Sequence, residues 1–160
     1  MNAIDLLEKQ HKEVETLFKK IEKAEGDEKR ALFEELADSL AVHATIEEKQ
    51  FYPSAMSART EDVLHEAVEE HLSAKRIIAD LLECEPSDPQ FDAKISVLKE
   101  QILHHVEEER SELFPKVRKL LSRDELDDLG LVMEDLADEL MQGTPRDSVP
   151  AETGAAAPLQ

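Results

Sequence analysis

The segment HATIEEKQFYP at residues 43–53 returns without a gap as HVEEERSELFP at residues 105–115. In both copies a histidine is followed four residues later by a glutamate, His43 with Glu47 and His105 with Glu109, and each copy ends on an aromatic residue and a proline. Four residues is about one helical turn, so each pair shares one face of a helix. Working back from the histidines, Phe33, Leu36 and Leu40 lie on the face of His43, and Ile95, Leu98 and Ile102 on that of His105. Two other stretches carry a seam of the same kind. Ile4, Leu7, His11, Val14, Phe18 and Ile21 step by three and four, as do Leu64, Ala67, His71, Ala74, Ile78 and Leu81. The chain therefore reads as two helical hairpins of one design.

The periodicity predicts four long helices at about 2–24, 28–51, 60–83 and 89–120, and a shorter fifth at about 123–141. Gly26-Asp27, the stretch from Pro53 to Arg59, and Glu85-Pro86-Ser87-Asp88-Pro89 supply the breaks. Ser122 followed by Glu125 is a capping box that starts the fifth helix. Short connections between long amphipathic helices favour an all-α, up-down-up-down antiparallel four-helix bundle with a short additional C-terminal helix. Residues 1–142 form that domain, and residues 143–160, rich in Pro and Ala, read as a disordered tail. In an antiparallel bundle His11 and His71, nine to eleven residues after their helices begin, fall level with His43 and His105, each ten residues before a proline. At about 1.5 Å per residue all four imidazoles share one layer, with Glu47 and Glu109 roughly 6 Å nearer one end.

Composition narrows the function. The 160 residues give room for one core, Gly is scarce at 4 and aromatics make up 4%, as in a helical protein. A net charge of -19 repels phosphate backbones and anionic lipid, which argues against nucleic acid and membrane surfaces as partners. The N-terminus has no basic segment leading into an apolar run, and no uncharged stretch approaches the roughly 20 residues of a membrane span, so a cytoplasmic protein is expected. Cys84 is the one cysteine, which rules out an intramolecular disulfide and a thiolate metal site.

A lone histidine on an apolar helix face is usually a hydrogen-bonded core residue, but four in register with two seam glutamates are not explained that way. A buried glutamate costs several kcal/mol unless it is paired or metal-bound, and neither Glu47 nor Glu109 has a seam Lys or Arg beside it. The competing reading leaves both glutamates on solvated flanks. His104 with Glu108 has the same spacing but lies about 100° off the seam, and His65 is about 120° from His71, which makes it a surface residue. His65-Glu66 begins like a zinc-protease motif but lacks the second histidine. Mixed imidazole and carboxylate donors suit iron, manganese, zinc or copper and argue against calcium or magnesium.

These elements, His11, His43-x-x-x-Glu47 with Phe51-Tyr52-Pro53, His71, and His104-His105 through Glu109 with Leu113-Phe114-Pro115, resemble the hemerythrin-like, or HHE cation-binding, family over roughly residues 1–120. The resemblance implies two iron ions bridged by oxide, hydroxide or water and held by His11, His43, Glu47, His71, His105 and Glu109. Oxygen-carrying members have a further histidine where this chain has Ala67, and an aspartate where it has Arg110, which argues against reversible oxygen carriage. Resemblance to similar bacterial proteins implies hydrogen peroxide decomposition of the catalase or peroxidase type, with nitric oxide as a second small partner. The alternative is a non-enzymatic protein that binds or senses oxygen, nitric oxide or iron. A monomer or homodimer is expected, and the fifth helix either covers one opening of the bundle or makes the dimer contact. Ala67 is expected to widen the space at the level of the carboxylates. Tyr52, the only tyrosine, is a structural residue or an outer neighbour of the site, and Cys84 is a helix-end residue.

Overall fold

The computed structural model describes residues 1–159, and among them there are helices and no strand. The four long stretches form the expected antiparallel bundle: α1 (Ala3–Lys23), α2 (Gly26–Ile46) with its continuation α3 (Tyr52–Ala55), α4 (Glu61–Leu82), and α5 (Pro89–Glu108) with its continuation α6 (Phe114–Leu120). The fifth helix is α7 (Arg123–Met141). Its Ser122 capping box forms in both directions, Glu125 N–H donating to Ser122 Oγ at 3.1 Å and Ser122 N–H to Glu125 Oε2 at 2.8 Å. Asn2 and Asp88 cap α1 and α5 by accepting from Asp5 N–H and Gln90 N–H. Arg30 of α2 reaches across to the last carbonyls of α4, donating to Leu81, Leu82 and Cys84, and so ties the helix end that carries Cys84.

Two breaks move. The turn after α1 falls at Ala24-Glu25, and Gly26 opens α2 with φ of 58°, a left-handed conformation that a side chain would strain. Pro53 and Pro115 do not end their helices. Before each lies one wide π turn, Glu47–Phe51 and Glu109–Leu113, whose i+5 hydrogen bonds open the backbone where a proline ring would otherwise collide with the preceding turn. The true break is at Met56–Thr60, where Thr60 Oγ1 donates to Ala55 carbonyl at 2.6 Å and accepts from Ser57 N–H at 2.9 Å.

α7 packs along α1 and α2, adding Leu126 and Met133 to the core at one end of the bundle. Its closest approach is at Gly130, where a Cβ would overlap the Met1 carbonyl oxygen and lie 2.8 Å from the Asn2 carbonyl carbon. Gly130→Ala should therefore push α7 off the start of α1 and cost about 1–3 kcal/mol, read as a lowered midpoint in urea. An unchanged midpoint would show that this contact does not hold α7.

Residues 143–159 are not the disordered tail that their composition suggests; Gln160 lies outside the described residues. The segment forms a 3-10 turn at Pro145–Glu152 that crosses α2 and α4. Arg146 anchors it through Asp38 at 2.9 Å and Glu34 at 3.4 Å, Lys75 holds Glu152 at 3.0 Å, and Val149, 2% exposed, enters the core. One valine and one arginine decide this, and neither pairing leaves a local mark in the sequence. No described helix is long and apolar enough to cross a membrane.

Candidate metal centre

The apolar core is divided. One cluster surrounds Leu7, Phe51, Tyr52, Leu64, Ala67 and Phe114; the other surrounds Val14, Phe18, Phe33, Leu36, Ile78 and Leu98. Between them His11, His43, Glu47, His71, His105 and Glu109 form a polar layer, none more than 7% exposed. The His11 and His43 ring centroids are 4.9 Å apart and those of His71 and His105 are 4.8 Å apart. Glu47 Oε1 lies 3.0 Å from His43 Nε2, 3.2 Å from His71 Nε2 and 3.8 Å from His105 Nε2. Glu109 Oε1 lies 3.2 Å from His11 Nε2 and 3.4 Å from His105 Nε2. Each carboxylate thus reaches histidines of both hairpins.

The π turns start at these glutamates, and the extra residue per turn has a consequence that 3.6-residue spacing does not foresee. Tyr52 and Phe114, five residues beyond Glu47 and Glu109, swing onto the buried side. Tyr52 hydroxyl donates to Glu109 Oε2 at 3.0 Å and lies 3.3 Å from His71 Nε2, while the Phe114 ring stacks on His11 at 6.1 Å. Burial first, and then the charges of Glu109 and Glu47, push the Tyr52 hydroxyl well above its ordinary pKa, so it stays a donor.

Outer partners orient three of the four imidazoles. His43 Nδ1 meets Gln10 Oε1 at 2.7 Å, His71 Nδ1 meets Glu48 Oε2 at 2.8 Å, and His105 Nδ1 meets Glu70 Oε1 at 2.9 Å. Glu48 is itself held by Lys75 at 3.0 Å. With Nδ1–H donating outward, the Nε2 lone pairs face inward, the arrangement that metal-ligating histidines use. Gln10, Glu48 and Glu70 lie next to seam residues, and nothing short of the assembled bundle distinguishes them from other surface polar residues.

Whether a cation fits can be judged from unpaired atoms. His11 Nδ1 and Nε2, His43 Nε2, both oxygens of Glu47 and Glu109 Oε1 are buried with no hydrogen-bond partner among the described residues. Two sets of donors lie within 4.8 Å of one another, His11 with His43 and Glu109, and Glu47 with His71 and His105. A cluster that leaves this many buried lone pairs unsatisfied is costly unless protons or cations occupy it. The donors present, imidazole nitrogen and carboxylate oxygen, fit a pair of transition-metal ions. Burial would raise the Glu47 carboxyl, yet the attraction of the imidazoles around it, His43 first, holds it well below its usual range. Burial would lower His71 and His105, but their carboxylate partners outweigh it and push both up.

The remaining sequence candidates fall outside. His65 is exposed and 3.9 Å from Glu61, and Cys84 is a buried free thiol at the end of α4. His104 pairs with Glu108 at 3.0 Å and, with Glu70, makes a third donor group on the surface. Ala67 does not widen the site, because it is packed in the aromatic cluster with Tyr52. The open space lies on the other side of the histidine layer, a cavity of about 40 Å³ bounded by the four histidines, by apolar residues such as Val14, Leu40, Ile78 and Val149, and by the paired Lys75 and Glu152.

Residues 2–117 match the model of the hemerythrin HHE cation binding domain. An uncharacterised protein of Mycobacterium tuberculosis is 28% identical over 148 residues, 91% of this chain and 90% of that one. A DNA nickase of Nostoc is 29% identical over 126 residues, 78% of this chain, which spans only 36% of that protein's length. The crystal structure of a hemerythrin HHE cation binding domain-containing protein from Mycobacterium kansasii superposes with a TM-score of 0.80 over 95% of this chain and 99% of that one, at 24% identity.

Proposed function

This chain belongs to the hemerythrin HHE cation-binding domain family, and from that premise we propose that it holds two iron ions in its core and decomposes hydrogen peroxide. The observation that carries the reading is the buried layer of four imidazoles and two carboxylates, several of whose lone pairs find no hydrogen-bond partner among the described residues. His11 and His43 would hold one ion and His71 and His105 the other, while Glu47 and Glu109, each within reach of both pairs, would serve the two together.

Bound iron would supply redox chemistry at open coordination positions. The protein's own groups do the rest. Gln10, Glu48 and Glu70 fix the ring planes, Tyr52 offers its proton to Glu109 Oε2, and the two apolar clusters exclude bulk water from the layer. Iron leads among the transition metals because the HHE family resemblance points to it. The net charge of -19 repels phosphate backbones, which argues against a nickase-like role on DNA.

Purified protein should contain about two iron ions per chain and evolve oxygen from added peroxide through many turnovers. Peroxide that is consumed once per centre, with no sustained oxygen release, would instead make this a binding or sensing protein for oxygen, nitric oxide or iron. Absence of any tightly bound transition metal after growth in iron-rich medium would end both readings.

A further inference from the structure

The cavity beside the histidine layer is closed by a part of the chain that lies beyond residues 2–117, the span matched by the family. The four site histidines form one side of it, and Lys75 and Thr45 are polar members of its lining. Its other bundle walls are mostly apolar, among them Val14, Leu40, Ala41, Ala74 and Ile78, each within two turns of a site histidine and on the side away from Glu47 and Glu109. The wall from outside the bundle is Val149 of the 3-10 turn, with Ser148 and Glu152 beside it. No bundle residue substitutes for it: Val149 is 2% exposed and packs into the same cluster as Val14, Leu40, Ala41 and Ile78.

We propose that Val149 is the size-selecting wall of a buried ligand site which admits uncharged molecules of two or three heavy atoms to the histidine layer and excludes larger ones. Size follows from the volume. A water needs roughly 10–15 Å³ of such space, so about 40 Å³ holds a diatomic gas or hydrogen peroxide but no branched organic group. Absence of charge follows from the lining: it is mainly apolar, and its two charged members, Lys75 and Glu152, are paired with each other, Lys75 also with Glu48, so an entering ion would lose its hydration without a free partner. The route follows from the fastening. The 3-10 turn is held at its edges by Arg146 to Asp38 and Glu34, by Lys75 to Glu152 and by Arg76 Nε donating to the Thr153 carbonyl at 3.0 Å. Short segments held by polar contacts at their ends open more readily than the helices beneath them.

This inference takes its chemistry from the proposed metal centre, but its test does not depend on turnover. Xenon, an apolar atom without reactivity, is the probe. Full-length protein as purified is compared with Val149→Ala, Arg146→Ala and the surface control Val97→Ala by xenon NMR, which reads the exchange rate between free and bound gas. In parallel each protein is given hydrogen peroxide or tert-butyl hydroperoxide. Losing two buried methyl groups, or the arginine anchor, should speed xenon exchange about tenfold and raise the consumption of the bulky peroxide relative to hydrogen peroxide by a similar factor. Val97→Ala should change neither. Xenon exchange equal to that of the unaltered protein in both folded variants would overturn the assignment of Val149. Peroxide left untouched by every protein would overturn the proposed activity instead, and the xenon rates would still decide the wall.

Discussion

Glu109→Ala should strip the protein of tightly held metal while leaving the metal-free fold intact. Glu109 is 1% exposed, lies within 3.4 Å of both His11 and His105, and reaches Tyr52 with its second oxygen. Loss of a partner that merely orients a metal ligand weakens binding about 10- to 100-fold, and loss of a shared carboxylate should cost at least about 100-fold. That removes about 2.7 kcal/mol of metal-linked stability, or roughly 5–10 °C in the melting temperature of the loaded protein. The stripped protein should behave differently. Two opposing changes act on it: a buried charge with an unpaired oxygen disappears, which favours folding, and Tyr52 loses its acceptor, which costs about 1–3 kcal/mol. Metal content by elemental analysis, with melting curves before and after chelation, separates the two. If Glu109→Ala kept its metal, or if chelation left the melting temperature of the unaltered protein where it was, the carboxylate would have no role in holding a cation.

The sequence carries the bundle and the polar layer because both depend on periodicity. Six side chains on four seams must meet if the helices are antiparallel and the connections short, and His11, His43, Glu47, His71, His105 and Glu109 do meet. What depends on departures from regular helix is not legible. The π turns at Glu47 and Glu109 have no composition of their own, and with them goes the placement of Tyr52, which at ordinary spacing would lie about 100° from the seam. A proline shortly after a seam glutamate is the one local hint, and it reads equally well as a helix end. Long-range closure is equally silent. Arg146 finds Asp38 and Val149 finds Leu40 across more than a hundred residues, so a segment rich in Pro and Ala takes a fixed place that its own composition argues against. α7 is intermediate: its capping box predicts the start, and only the approach at Gly130 shows which helices it covers.

Metal-free and metal-loaded protein should respond to pH in opposite directions. His71 and His105 sit among Glu47, Glu48, Glu70 and Glu109, and their pKa values are raised in the folded chain. A raised histidine contributes stability that is fully present below its unfolded pKa of about 6.5 and is lost as pH rises through the folded value. Glu47 and Glu48 are lowered, so their contribution is present above about pH 4.3 and is lost as pH falls through their folded values. Stripped protein should thus be most stable between these limits and lose about 1.4 kcal/mol for each unit by which a histidine is raised, once pH passes that group. Bound cations need those same nitrogens without protons, so loading expels protons and strengthens about tenfold per pH unit for each proton displaced. The gap between the two melting temperatures should therefore widen steadily from pH 6 to pH 8. A stripped protein that grew more stable over that range would mean that His71 and His105 are not held as cations by the carboxylates around them, and the buried layer would need another account of how its charges are balanced.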